Sequence, residues 1–330
     1  MNQTLSLILR KNRIVLGNLP MLGISYQGTV KDKEYKERFR DKAEMKKVIR
    51  TALKYGVRFF AASHRAFNQL APTYLEAVSE VEAENETALW LIPCIDVPLR
   101  FRNNKIDDYR RWKTHLEYET KKYRRQILQR YLEDPILNCR QGWKEGLVEA
   151  KPYEHDELKK EMEIDWKIWE ETITEFRDYN VAWVEPGSGT DFLAISRIDL
   201  LNELLDATRK MGHRVLLGSH HVGATHELIT TRLLNGFEGF VTPINKLGAM
   251  MFPTQKQAEK AIKDAKKQGK LVVAIKPFAG GRIPPEEASS YVFKEVEADA
   301  CMIGVGSEAE AMNDFQIAEE VLASLPSQGQ

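Results

Sequence analysis

The sequence predicts an α/β fold: a (β/α)8 TIM barrel with an N-terminal β-hairpin and a long helical insertion after the third strand. Three observations predict it. After residue 180, short apolar or β-branched runs alternate with amphipathic helical stretches, the pattern of parallel βα units. The same rhythm runs backwards through residues 1–97, so that eight strand candidates can be counted. One interval is anomalous: residues 98–180 number 83 where a single helix would suffice, and removing them from 330 leaves 247, close to the roughly 250 residues of such a barrel. The chain therefore divides into 1–97 (hairpin and strands one to three), the insertion 98–180, and 181–330 (strands four to eight).

In order, residues 5–9 and 13–16 read as a hairpin turning at Lys11-Asn12, and 21–26 as the first barrel strand. Residues 42–55 form a helix stopped at Gly56, 57–61 the second strand, 71–84 a helix and 89–95 the third strand. Strands four to eight fall at 181–185, 214–218, 239–243, 271–276 and 300–305, with helices at 193–211, 224–234, 255–268 and 308–325 between and after them.

The insertion holds two arms of opposite charge. Residues 98–132 carry 11 basic and 4 acidic side chains, and residues 133–180 carry 7 basic and 14 acidic. Each arm has one long helical stretch, 107–132 and 156–179, and Trp112, Trp143, Trp166 and Trp169 lie here. A basic aromatic helix alone would suit nucleic acid; an acidic arm that matches it argues instead for two helices pairing with each other, over the barrel mouth, as a lid.

Lys plus Arg equals Asp plus Glu, 48 each, so the whole chain has no field that would draw a polyanion. The run at 5–9 is too short for a secretory leader, and no apolar stretch approaches the ~20 residues of a membrane helix. Cys94, Cys139 and Cys301 form neither a disulfide framework nor a structural zinc spacing. The expectation is a cytoplasmic protein acting on a small-molecule substrate, with no membrane or nucleic-acid partner.

In a barrel of this kind, polar side chains at the C-terminal strand ends converge on one site. Those ends carry Ser25 and Tyr26, Ser63 and His64, Cys94 and Asp96, Glu185, Ser219 with His220 and His221, Asn245, Lys276, and the turn Gly304-Val305-Gly306-Ser307. The last could bring backbone N–H groups to a phosphate at a helix N-terminus, or could be a tight turn capped by Ser307 with Glu310 completing a capping box. Lys276, followed by Gly280 and Gly281, could serve as base, Schiff-base nucleophile or anion clamp, or could pair with Glu185 or Asp96. His64, Asp96, Glu185 and His220 or His221 come from neighbouring strands. They suit acid–base work, or a divalent metal held by His64, Glu185 and His220 with an open position.

Three stretches resemble the aldo/keto reductases: Leu19-Pro20-Met21-Leu22-Gly23-Ile24; Ala52-Leu53-Lys54-Tyr55-Gly56-Val57-Arg58-Phe59-Phe60; and Val273-Ala274-Ile275-Lys276-Pro277-Phe278-Ala279-Gly280-Gly281 with Ile303-Gly304-Val305-Gly306-Ser307. The resemblance implies a barrel-plugging hairpin and NADP or NAD as cofactor, with Asn245, Lys276, Gly280, Gly281, Gly304, Gly306 and Ser307 as contacts. The family's catalytic residues are not carried over. Ala61 stands for its Asp, Ala66 beside Phe67 for its Tyr, Pro93 or Cys94 for its Lys, Glu185 or Pro186 for its His, and His220-His221 for its Ser-Asn pair.

The functional expectation is an enzyme acting on a small carbonyl or phosphorylated compound at the barrel mouth. It could be an NAD(P)-linked oxidoreductase with atypical catalytic residues. The alternatives are a metal-dependent or cofactor-free lyase, isomerase or hydrolase using His64, Asp96, Glu185 and His220 with Lys276 as clamp, and a catalytically silent barrel whose insertion binds a partner.

Overall fold

The computed structural model describes residues 2–124, 126–233 and 236–326. Its strands are β1 (Ile14–Gly17), β2 (Phe59–Ser63), β3 (Trp90–Ile95), β4 (Leu99–Phe101), β5 (Asn104–Lys105), β6 (Met162–Ile164), β7 (Glu185–Pro186), β8 (Leu216–Gly218), β9 (Gly239–Pro243), β10 (Leu271–Ile275) and β11 (Ala300–Gly304). Eight of them form one sheet in the order β7-β3-β2-β1-β11-β10-β9-β8. A parallel bridge from Val184 to Val215 joins its two end strands and closes the barrel.

Side chains alternate across a strand, and here one set points inward. Val15, Phe59, Ile92, Trp183, Leu216, Val241, Val273 and Ala300 fill the lower interior as one apolar cluster. Its floor is closed by the helix Asn2–Asn12, which brings Leu5, Ile8 and Leu9 against the cluster.

That helix corrects the expected hairpin. In Leu5-Ser6-Leu7-Ile8-Leu9 a strand would bury 5, 7 and 9 together. The structure instead leaves Leu7 63% exposed and buries Leu9 completely, the helical period, because the helix lays one apolar stripe across the barrel floor. Ile14, Val15 and Leu16 belong, with Gly17, to β1 itself, buried at every position between β2 and β11. Residues 21–26 are not a strand. Pro20 opens a single 3-10 turn, Pro20–Leu22, closed by Gly23 in the left-handed region at φ +76°.

Between β3 and β7 the chain builds a small antiparallel sheet, β5-β4-β6, and the helices Asp108–Tyr123, Leu128–Leu132, Trp143–Glu149, His155–Glu161 and Trp166–Thr174. Neither expected long helix is continuous: 107–132 is split into Asp108–Tyr123 and Leu128–Leu132, and 156–179 is broken by β6, where Met162 and Ile164 are buried and Glu163 is exposed. The two charged arms do meet, through Arg100–Asp165 at 2.8 Å, Arg102–Glu157 at 2.9 Å and Arg140–Asp108 at 3.7 Å. Such exposed pairs stabilise by at most about 1 kcal/mol each.

Apolar packing does more to seat this segment. Trp112, Tyr131 and Trp143 form one cluster with Ala249, Met250, Phe252, Ala279 and Ile283 from the loops after β9 and β10. Asp134, fully buried, accepts from the Met250 amide at 2.6 Å. The Tyr123 hydroxyl donates to the Gly223 carbonyl at 2.6 Å. The inserted segment thus sits on the C-terminal mouth of the barrel. Among the described residues no helix is long and apolar enough to cross a membrane.

Candidate functional site

The upper interior of the barrel is lined by small residues, Gly17, Ala61, Gly218 and Gly304, so the packed core gives way to a cavity of about 870 Å³ at the C-terminal end. Gly218 keeps this wall close, because a Cβ would stand 2.9 Å from the Pro186 carbonyl oxygen, which the strand fixes, and 2.7 Å from a Glu185 carboxyl oxygen. The cavity wall includes His64, Cys94, Asp96, Glu185, His220 and Lys276, and from the inserted segment Ile136, Cys139 and Arg140.

Lys276 follows directly on β10 and holds φ +57°, with Tyr26 on the facing loop at φ +59°. Left-handed backbone is uncommon for residues with a side chain and costs of order 1–3 kcal/mol, and such residues cluster at functional sites. In this conformation the Lys276 ammonium lies 3.4 Å from His220 Nε2 and 5.0 Å from the centroid of the Tyr26 ring.

Glu185 is 6% exposed. Burial pushes its carboxyl up to about 8; a hydrogen bond with Cys94 and the charge of Lys276 oppose this, and Asp96 adds to it. At neutral pH it is therefore mostly protonated and able to give up a proton. Burial also holds the His220 imidazole neutral, its proton affinity further depressed by Lys276, His221, Arg140 and Arg111. With Lys276 donating to Nε2, the ring proton sits on Nδ1, an atom that is buried without a hydrogen-bond partner.

The turn carrying His220 is set by Asp191, which is fully buried. Its carboxylate accepts from the Ser219 hydroxyl (2.7 Å), the His220 amide (2.8 Å), the His221 amide (3.1 Å) and the Thr225 hydroxyl (2.9 Å). His220 thereby faces the cavity while His221 turns into the inserted segment. There His221 Nδ1 meets Glu119 at 2.8 Å, and the His115 ring stacks on it at 3.9 Å and 7°. The Tyr131 hydroxyl donates to the other Glu119 oxygen at 2.6 Å.

His64 and Asp96 also line the cavity, the first with its ring against the edge of Phe67 and the second exposed. Yet among the described residues no three His, Cys, Asp or Glu side chains are grouped to hold a metal ion. The expected set of His64, Glu185 and His220 is thus spread around the rim without sharing a centre.

The expected cofactor contacts also separate. Asn245 is buried outside the cavity and spends both ends of its amide on Ala249, donating at 2.9 Å and accepting at 2.8 Å. Gly280 and Gly281 line the cavity with φ near +70°, and a Cβ on Gly280 would stand 2.6 Å from the Tyr26 carbonyl oxygen. At the turn after β11, Ser307 caps the helix Glu308–Ala323 by accepting from the Glu310 amide at 3.1 Å. Glu310 reaches back to take the Gly306 amide at 2.7 Å, and a Cβ on Gly306 would meet the Tyr35 ring at 2.2 Å. Asp314, its carboxyl raised to about 6 by burial against a hydrogen bond from Asn313, adds a second acid to this arm of the cavity. The amide that would cradle a dinucleotide phosphate is committed to a carboxylate, so the turn as built does not fit that group.

Asp191, Glu119 and Arg140 were not legible as site residues. Asp191 carries only the signal of lying shortly after a strand end, and the other two lie in the inserted segment, where no strand register places them.

No protein-family model and no curated protein sequence matches the chain. Among solved structures it is similar to two described as a "putative aldo-keto reductase" of Pseudomonas aeruginosa. Each is 14% identical and aligns over 94% of this chain and 90% of its own, with TM-scores of 0.49 and 0.48.

Proposed function

We propose that this barrel is an acid–base enzyme, a lyase or isomerase, acting on a small carbonyl compound bound among Glu185, Lys276 and Asp96. The observation that carries this reading is a buried, protonated carboxyl in the same cavity as a lysine held in a strained backbone. Glu185 gives its proton to the carbonyl oxygen, and the Lys276 ammonium, aimed by His220, stabilises the negative charge that develops there. Asp96 on the rim takes a proton from the adjacent carbon, leaving an enol. Where the adjacent carbon also carries a hydroxyl, the enol is an enediol; return of the proton from Asp96 to the former carbonyl carbon, with the neighbouring hydroxyl's proton passing to Glu185, yields an isomer with nothing consumed.

Proton NMR in D2O over a panel of small aldehydes, ketones and keto acids tests it. Deuterium should enter beside the carbonyl of at least one compound, and Glu185→Gln should slow this by about 100-fold or more. Equal exchange with wild type and variant would overturn the reading.

One observation favours a second reading, a nicotinamide-linked oxidoreductase using Glu185 as proton donor. At about 870 Å³, with an arm reaching Glu310 and Asp314, the cavity is larger than a small carbonyl compound fills. Titration of the protein with NADH and NADPH decides it, and the committed Gly306 amide leads us to expect no saturable binding. A docking role for the inserted segment is not preferred, since Trp112, Trp143 and Trp169 are turned into the molecule.

A further inference from the structure

Four cationic side chains line the cavity: Lys31, Arg140, Lys276 and Arg282. Two are already engaged. Lys31 pairs with Glu34 at 2.9 Å, and Arg282 donates to the carbonyls of Tyr26 at 3.0 Å and Ala279 at 2.8 Å. Arg111, just behind the wall, spends its two terminal nitrogens on Ser188 at 3.1 Å and Asp108 at 2.8 Å.

Among the described residues, neither of the other two donates a hydrogen bond to a carboxylate. Lys276 makes no salt bridge among them; its side-chain hydrogen bond is to His220, and its charge is also felt by Glu185 and Cys94. Arg140 makes no hydrogen bond through its guanidinium; its sole charged neighbour there is Asp108 at 3.7 Å, itself 62% exposed. The Arg140 guanidinium carbon lies 5.9 Å from the ring centroids of Trp112 and Trp143, a cation–π arrangement that holds it at the cavity wall. Both cations are near enough to His220 to depress its proton affinity. Arg140 is half-exposed and Lys276 half-buried, so water reaches both, and they face one concave space in which an anion would meet a cation from each side.

We infer that Arg140 and Lys276 form an oxyanion site, and that the substrate of this cavity carries a carboxylate or a phosphate. Arg140 offers the planar fork that matches such a group in two bonds, and Lys276 offers a point charge. The inserted segment thereby completes the substrate site, one cation coming from each part of the chain. The inference rests on the reading of this cavity as a substrate site, and it narrows the carbonyl compound proposed above to an anionic one.

Binding of inorganic phosphate and of acetate, each at constant ionic strength against sodium chloride, tests it without turnover. Tryptophan fluorescence reports occupancy, because Arg140 lies on Trp112 and Trp143. Wild type should bind at least one of the two saturably, and which one it prefers identifies the group. Arg140→Gln and Lys276→Gln should each weaken that binding at least tenfold, Arg140→Lys should recover part of it, and Arg177→Gln on the exposed surface should change nothing. Thermal melting of each variant checks that it is folded.

No saturable binding by either anion, or equal binding by wild type and folded Arg140→Gln, overturns the inference. If the anion binds as described but deuterium enters no carbonyl compound, the clamp stands and the acid–base role of Glu185 falls. If exchange occurs on neutral compounds alone and no anion binds, the reverse holds.

Discussion

Replacing Glu185 by Gln tests the state of the buried carboxyl by stability alone. An ordinary Glu, at 4.5, is raised here to about 8 by burial. Below pH 4.5 the carboxyl is protonated in both folded and unfolded chains and makes no difference between them. Between 4.5 and about 8 the unfolded chain loses this proton while the folded one keeps it, so the unfolded state binds fewer protons and stability falls as pH rises. At about 1.4 kcal/mol per pH unit the full loss is on the order of 5 kcal/mol. The amide side chain of Glu185→Gln has the shape of the protonated acid and cannot ionise, so the variant escapes this loss. Unfolding entropy of about 2.1 cal/mol/K per residue gives about 0.7 kcal/mol/K over 330 residues. The melting temperature of Glu185→Gln should thus match wild type near pH 4.5 and exceed it by roughly 7 °C above pH 8. Calorimetry across pH 4.5–9 measures the gap. Two curves that run parallel would refute the reasoning, because Glu185 would then ionise as any exposed carboxylate does.

Two further substitutions probe the walls of the site. Asp191→Ala removes the acceptor of four hydrogen bonds and strands the buried amides at His220 and His221; at about 1–3 kcal/mol for each stranded group, urea denaturation should show a loss of roughly 2–5 kcal/mol. Gly306→Ala places a methyl 2.2 Å from the Tyr35 ring and should cost about 1–3 kcal/mol as an overpacked site, relieved in the double variant with Tyr35→Ala, which thermal melting would detect.

Much of the fold could be read from local pattern. The alternation of apolar runs and amphipathic stretches placed β2, β3 and β8 to β11 to within about two residues at their ends and put the long interruption between β3 and β7; strand four, expected at 181–185, is β7 at Glu185–Pro186, and β4, β5 and β6 inside the insertion were not read. It failed at the N-terminus for a definite reason. A five-residue run with apolar side chains at positions 5, 7, 8 and 9 satisfies the strand and the helix periods alike, and what it packs against decides between them. For the site, reading along strand ends collected His64, Asp96, Glu185, His220 and Lys276, and all five line one cavity. The same procedure gathered Asn245, whose side chain turns back on its own loop, because a strand end reports position along the barrel axis and not the direction of the side chain.

By itself, then, the sequence determined the period of the βα units, the rim that carries the chemistry and the residue types on it, since these depend on spacing along the chain. Only the tertiary structure decided which of two adjacent histidines faces the cavity, that Glu310 takes the Gly306 amide, and that Arg140 from the inserted segment shares a space with Lys276. It also decided the protonation of Glu185. That follows chiefly from the removal of water, with the charge of Asp96 adding to it and that of Lys276 opposing it, and these groups are far from Glu185 in sequence and meet it only when the barrel closes.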